Sequence, residues 1–95
     1  NGTVAIQIAL AVLDIKAGDE VIVPSFTYVA SVAPILQIGA KPIFIEVNKD
    51  TWSMEAQAVA QAITPNTRAV MVPHLYGNAV AMDKIMSVAK QHQLY

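Results

Sequence analysis

Glu20-Val21-Ile22-Val23-Pro24 is a short run, apolar after its glutamate, that a proline ends. Its three central residues are β-branched, and the run lacks the polar alternation of a strand with one face in water, so it predicts a fully buried strand. Residues 42–45 and 68–72 form two more apolar runs of strand length. Continuous apolar strands are typical of a parallel sheet that is covered by helices on both faces.

The segments that flank these strands predict helices over residues 3–15, 27–38, 54–63 and 82–92. Ser53 is expected to cap the third helix. Pro34 lies inside the second helix and is expected to kink it, at a cost of ~3 kcal/mol if nothing compensates. Helices and strands therefore alternate along the chain. This order predicts an α/β fold with three αβα layers and a mainly parallel sheet.

The composition suggests that this sheet belongs to something larger. Of 95 residues, 55% are hydrophobic and only 14% are charged, whereas a free-standing domain of this size needs more polar cover. The chain opens on Asn1-Gly2-Thr3 without an initiator methionine, and another strand starts to form at Leu94-Tyr95. We therefore expect an internal piece of a longer protein, with apolar surface that normally contacts other parts of it.

Several classes of function are disfavoured. A net charge of −1 without a basic cluster offers no electrostatic basis for nucleic-acid binding. The absence of cysteine excludes disulfides and thiolate metal sites and fits a reducing compartment, so a cytoplasmic location is expected. Residues 21–40 carry no charge, but Pro24, Pro34 and Gly39 interrupt them, and a strand, a turn and a buried helix explain the run better than a membrane span does.

Ligands of open parallel sheets bind beyond the carboxyl ends of the strands, and three segments qualify: residues 1–3, 24–28 and 73–78. Gly2 and Thr3 could bind an anion with their free N–H groups, although N-G-T also forms an ordinary helix start. An aromatic in the second segment could stack on a flat ligand or pack in the core. His74 could contact a substrate or act as a base, but a lone histidine is more often structural. We interpret Trp52 as a packing residue.

In this order along the chain, the segments resemble the DegT/DnrJ/EryC1/StrS family of sugar aminotransferases, which use pyridoxal 5'-phosphate (PLP) and have PLP fold type I. The matching segments are N-G-T-V-A at residues 1–5, G-D-E-V-I-V-P-S-F-T-Y-V-A-S at 18–31, G-A-K-P at 39–42, D-T-W at 50–52, A-I-T-P-N-T-R-A-V at 62–70, H-L-Y-G at 74–77 and M-D at 82–83. The first two are most similar to the GDP-perosamine synthase type, which aminates a GDP-linked 4-keto sugar.

The resemblance implies roles for particular residues. Gly2 and Thr3, together with Val4, match the family's backbone cradle for the cofactor phosphate, and Tyr28 matches the aromatic that stacks on the pyridine ring. Phe26 matches a variable apolar position and is interpreted as packing. His74 matches a common residue without a derived role. Residues 1–95 would then be the N-terminal portion of the PLP-binding large domain.

Two essential groups of the family fall beyond residue 95: the aspartate that pairs with the pyridine nitrogen and the lysine that forms a Schiff base with PLP. The five lysines present are expected in polar turns or on an amphipathic helix, where an ammonium stays solvated. The expected parent protein transfers an amino group from glutamate to a nucleotide-linked keto-sugar and is a homodimer. Two alternatives are a PLP-dependent sugar dehydratase of the same family and a non-catalytic nucleotide-binding module.

Overall fold

The computed structural model describes the whole chain, from Asn1 to Tyr95. Four α-helices and three strands alternate along it, as the sequence predicts, and two short 3-10 helices that it does not predict follow β1 and β3. In chain order they are α1 (Gly2–Val12), β1 (Glu20–Pro24), a first 3-10 helix (Val29–Ser31), α2 (Ala33–Gln37), β2 (Lys41–Ile45), α3 (Ala56–Ala62), β3 (Thr67–Val70), a second 3-10 helix (Leu75–Gly77) and α4 (Met82–Gln91).

The three strands form one parallel sheet in the order β2-β1-β3, with the most apolar strand, β1, in the centre. All five residues of β1 are buried. Next to β3, the Tyr95 N–H donates to the Arg68 carbonyl at 3.0 Å and the Val70 N–H donates to the Tyr95 carbonyl at 2.8 Å. This alternation is the pattern of a parallel ladder, so the residue expected to begin a further strand does pair with β3.

Side chains that alternate along β1 divide the core into two clusters, one on each face of the sheet. Val21 packs with Leu10 of α1 and Ile35 of α2, whereas Ile22 packs with Val59 of α3 and Ile85 of α4. The helices thus cover the sheet in pairs, one pair on each face. The predicted three-layer αβα architecture is confirmed.

The expected kink at Pro34 is wrong, because the single long helix expected over residues 27–38 does not form. Residues 29–31 form a separate 3-10 helix, and α2 begins only at Ala33, so Pro34 stands in the first turn of α2. A proline is accommodated there because the N–H that it lacks would have no partner within the helix. Pro34 is also fully buried.

The expected cap of the third helix is also wrong. α3 begins at Ala56 with Glu55 in the cap position, and no side chain caps it. Ser53 instead belongs to the preceding turn: its hydroxyl donates to the Thr51 carbonyl at 3.3 Å, and its carbonyl accepts from the Asn48 N–H at 3.0 Å. The bond to the Thr51 carbonyl uses the hydroxyl group that a helix cap would need.

Much of the apolar surface is exposed, as the composition suggests. Only 19 of the 95 residues are buried, and large apolar side chains on every layer face solvent. On α1 the exposed set forms one stripe at helical spacing, made by Val4, Ile8 and Val12. None of the helices combines the length and the apolar character that crossing a bilayer requires.

Candidate functional site

The carboxyl ends of the three strands meet at one edge of the sheet, and the segments that follow them carry most of the candidate residues. Residues 25–28 follow β1, residues 46–53 follow β2, and residues 71–79 follow β3. Helix α1 leads into the beginning of β1 and packs on its face through Leu10. Because a helix that leads into a parallel strand runs back along the sheet, the first turn of α1 points toward the same edge.

The start of α1 offers two unused backbone donors. The Asn1 side chain caps the helix by accepting from the Val4 N–H at 3.0 Å, and the Asn1 carbonyl accepts from the Ala5 N–H at 3.1 Å. The N–H groups of Gly2 and Thr3 have no partner within the helix, and the helix dipole favours a negative charge in front of them. Of the three predicted cradle residues, Gly2 and Thr3 are therefore free to donate, while the N–H of Val4 is already engaged.

The fold of this chain does not need a glycine at position 2. Its φ is not positive, and a Cβ built on it would meet no atom within 4 Å. Neither backbone conformation nor packing therefore explains a glycine at this position. A glycine here does leave room for a ligand to approach the two free N–H groups closely.

Tyr28 lies directly before the first 3-10 helix and is 72% exposed. Its backbone is fixed from the other side, because the Tyr28 carbonyl accepts from the Ser31 N–H at 2.9 Å, and the Thr27 hydroxyl contacts the Ser31 hydroxyl at 3.0 Å. A fixed backbone and an exposed ring make Tyr28 available as a platform for a flat ligand.

The structure brings the second and third predicted segments together. Phe26, Thr27 and Tyr28 line a cavity of about 260 Å³ whose other wall is Leu75 and Tyr76. Tyr76 is 86% exposed and has a φ of +54°, a conformation that is uncommon for a bulky residue. Three aromatic side chains from two loops, Phe26, Tyr28 and Tyr76, thus line one cavity at the edge of the sheet.

His74 does not line this cavity. Its Nδ1 accepts from the N–H of Val80, a buried residue, at 3.1 Å. The acceptor nitrogen carries no proton, so in the neutral ring the proton is on Nε2. His74 therefore closes the loop that carries Leu75 and Tyr76. This contact supports a structural role for His74 over a role as a substrate contact or base.

The interpretation of Trp52 as packing misses a feature of the structure. Trp52 is 56% exposed and meets Phe26 in a T-shaped contact, with ring centroids 5.4 Å apart and planes at 71°. Phe26 is itself 43% exposed. Both rings therefore form part of the surface at the sheet edge, and the only signal in the sequence was a tryptophan in a polar turn.

The lysines and His92 are on the surface. Every lysine is exposed, as expected, namely Lys16, Lys41, Lys49, Lys84 and Lys90. His92 ends α4 and is exposed. No three side chains among the histidines, aspartates and glutamates gather closely enough to hold a metal ion. A nucleophilic amine in an enclosed site is thus absent from residues 1–95.

Comparison with known proteins extends the resemblance to the entire chain. Residues 1–95 match the DegT/DnrJ/EryC1/StrS aminotransferase family. The GDP-perosamine synthase of Escherichia coli O157:H7 is 47% identical over 95 residues, which are 100% of this chain and 26% of that protein. The chain thus spans about a quarter of the length of this relative.

Solved structures show the same fold. DesV from S. venezuelae, in complex with a ketimine intermediate, superposes with a TM-score of 0.96 at 44% identity, over 99% of this chain and 25% of that one. NtdA from Bacillus subtilis, with bound cofactor PMP, superposes with a TM-score of 0.95 at 35% identity, over 98% of this chain and 21% of that one.

Proposed function

Since the chain belongs to the DegT/DnrJ/EryC1/StrS aminotransferase family, we propose that its parent protein transfers an amino group from glutamate to a nucleotide-linked keto-sugar. The observation that carries this proposal is the match over the whole chain, together with 47% identity to a GDP-perosamine synthase. A GDP-linked 4-keto sugar is accordingly the proposed acceptor. The pathway we propose is the biosynthesis of deoxyamino sugars or surface polysaccharides.

PLP is the proposed cofactor, and the residues present fit part of it. The free N–H groups of Gly2 and Thr3 would hold the phosphate, at a helix start that favours an anion. Val4 is retained as a third candidate, provided that Asn1 releases its N–H. The open space in front of Gly2 supports this assignment, because a side chain there would obstruct the ligand and nothing else.

Tyr28 would hold the plane of the pyridine ring. Its ring is exposed at a cavity on the strand edge, and its backbone is fixed by the turn that follows. When bound, PLP supplies the electron sink that makes amino transfer feasible. The side chain of Tyr28 would orient this sink and exclude water from one of its faces.

The groups that would move protons are proposed to lie outside residues 1–95. The family resemblance assigns a lysine and an aspartate to later positions, and the lysines present are all exposed. A lysine that forms a Schiff base needs a desolvated site, which these exposed side chains do not have. These 95 residues alone should therefore be inactive, and they would form the N-terminal portion of the PLP-binding large domain.

Two further proposals concern the parent protein. We propose a homodimer, because Val4, Ile8 and Val12 form an exposed apolar stripe on α1 that a second subunit could cover. We also propose a cytoplasmic location, supported by the absence of cysteine from a chain of this length.

The reaction can be tested in two halves with the full-length protein. Addition of glutamate to the PLP-loaded protein should convert PLP to its amine form and release 2-oxoglutarate, both of which are measurable by chromatography. Loss of water from the keto-sugar without nitrogen transfer would show the dehydratase alternative instead. A protein that binds nucleotide sugar but never PLP would support the non-catalytic module.

The assignment of Tyr28 needs its own comparison. Tyr28→Ala should weaken PLP binding about five-fold or more, since aromatic stacking contributes ~1 kcal/mol or more beyond burial. Tyr28→Phe keeps the ring and should bind PLP nearly as the unchanged protein does. Equal binding by all three proteins would remove Tyr28 from the cofactor site.

A further inference from the structure

A second cavity lies beside the one at Tyr28, and the two share Phe26 as a wall. It has a volume of about 510 Å³, within the roughly 300–1,000 Å³ typical of ligand pockets. Residues that follow β1 and β2 line it: Ser25, Phe26, Glu46, Val47, Lys49 and Trp52. We call it the Phe26–Trp52 cavity. The proposed cofactor residues do not line it.

The loop that presents Trp52 is held by its own hydrogen bonds. The Asn48 side-chain oxygen accepts from the N–H groups of Asp50 and Thr51 at 2.8 and 3.1 Å, and the Asn48 carbonyl accepts from the Trp52 N–H at 2.7 Å. The Asn48 side-chain nitrogen donates to the Glu55 carboxylate at 2.9 Å. These bonds fix the backbone from which the indole extends, and the indole itself contacts Phe26.

Trp52 is held in an unfavourable conformation for a bulky residue. Its φ is +57°, in the left-handed region that glycine and asparagine adopt far more readily. Backbone strain of this kind persists where the surrounding structure enforces it, and it is concentrated at ligand sites. The strain is not offset by burial here, because the side chain is 56% exposed.

The walls of the cavity combine aromatic rings with charged side chains. The T-shaped contact with Phe26 leaves much of the indole surface open, as the exposed fraction of Trp52 shows. The exposed residues Lys49 and Glu46 add a cation and a carboxylate at the same cavity. A ligand that fits this set has a flat π-system, a negative group and hydroxyl donors.

We propose that the Phe26–Trp52 cavity binds the nucleoside diphosphate end of the sugar nucleotide. The base stacks on the Trp52 indole, the Lys49 ammonium pairs with the diphosphate, and the Glu46 carboxylate accepts from the ribose hydroxyls. The keto-sugar then extends past Phe26 toward Tyr28. This proposal rests on the proposed function, since it assigns the substrate end that the amino-transfer chemistry does not touch.

The test measures binding of GDP, UDP and inorganic pyrophosphate to the full-length, PLP-loaded protein by calorimetry. Trp52→Ala should weaken GDP and UDP binding about ten-fold or more, because stacking of one base on an aromatic contributes on this scale. Trp52→Phe should lose less. Lys49→Met should weaken all three ligands several-fold, and the loss should shrink at high salt.

Phe44→Ala is the matched control, because Phe44 is an aromatic with the same 56% exposure and does not line the cavity. Its affinity for GDP should equal that of the unchanged protein. In steady-state assays, Trp52→Ala should raise KM for the nucleotide sugar and leave the conversion of PLP by glutamate unchanged. That half-reaction tests the proposed function separately from this site.

The proposal is overturned if Trp52→Ala and Lys49→Met both bind GDP as tightly as Phe44→Ala does. It is also overturned if the unchanged protein binds none of the three ligands, or if another part of the chain covers Trp52 and protects it from a soluble quencher. Should Trp52→Ala fail to fold, as circular dichroism would show, Trp52→Phe and Lys49→Met decide the question.

Discussion

Alanine at Gly2 and alanine at Gly39 should affect different properties. The substitution of Gly2 should weaken cofactor binding and leave stability intact, whereas the substitution of Gly39 should lower stability and leave cofactor binding intact. A Cβ at Gly2 meets nothing within 4 Å, and the residue is helical with no positive φ. Gly39 has a φ of +77°, and a Cβ there would lie 3.3 Å from the Ala17 Cβ. The same substitution is thus harmless to the fold at one position and strained at the other.

The magnitudes follow from these two environments. Gly2→Ala should leave the free energy of unfolding unchanged or raise it by about 0.4–1 kcal/mol, because alanine reduces the entropy of the unfolded chain. Gly39→Ala should lower it by about 1–2 kcal/mol, the cost of a left-handed conformation for a residue with a Cβ. The close contact with Ala17 adds to that loss.

Cofactor binding should respond in the opposite order. At Gly2 the new methyl group occupies the space in front of two unused N–H donors, and loss of one hydrogen bond to a charged group amounts to ~1.5–3 kcal/mol. PLP affinity should then fall about ten-fold or more. Gly39 lies in the turn between α2 and β2, at the edge where β2 begins. The site lies at the other edge, beyond the carboxyl ends of the strands, so substitution of Gly39 should leave PLP affinity unchanged.

The assay uses the full-length protein in both forms. Urea denaturation of the cofactor-free protein gives the free energy of unfolding, and fluorescence titration gives the dissociation constant of PLP. Gly2 has no role at the cofactor phosphate if Gly2→Ala destabilises the protein as much as Gly39→Ala does, or if Gly2→Ala binds PLP with unchanged affinity.

Three further predictions concern single contacts. Ile22→Ala should lower the free energy of unfolding by about 2–5 kcal/mol, measured in urea, and Ile22→Val by only about 0.5–1.5, because the side chain is fully buried at the centre of the sheet. Thr64→Val should cost about 1–3 kcal/mol, since it removes the 2.6 Å hydrogen bond to the largely buried carboxylate of Glu20; Thr64→Ser should retain most of the stability, and equal losses for both would contradict this explanation. His74→Ala should speed amide hydrogen exchange at Val80, whose N–H it leaves without its acceptor, and His74→Asn, which offers a carbonyl oxygen, should restore part of the protection.

The layers of the fold could be predicted from sequence because they depend on local patterns. The β-branched run of β1 forces a strand that is buried on both faces, and helices of matching length on each side then follow. The start of α2 could not be predicted from the same pattern. Pro34 fits both a kinked long helix and the first turn of a short one, and the 3-10 helix at Val29–Ser31 decides between them.

The candidate site divides in the same way. The free N–H groups of Gly2 and Thr3 follow from any helix that starts there, so the anion site was predictable in outline. The approach of Tyr28 to Tyr76 depends on the strand order β2-β1-β3, which no local pattern specifies. The exposure of Trp52 depends on the hydrogen bonds of Asn48 in the turn before it, and so a packing role was the natural expectation.

We propose that these residues belong to an enzyme that aminates a nucleotide-linked keto-sugar. A direct test supplies the full-length protein with PLP, glutamate labelled in its amino nitrogen and a GDP-linked 4-keto sugar, and analyses the nucleotide sugar by mass spectrometry. We expect one labelled nitrogen in place of the keto oxygen. A product that has lost water without gaining the label, or an unchanged keto-sugar beside fully bound PLP, would contradict it.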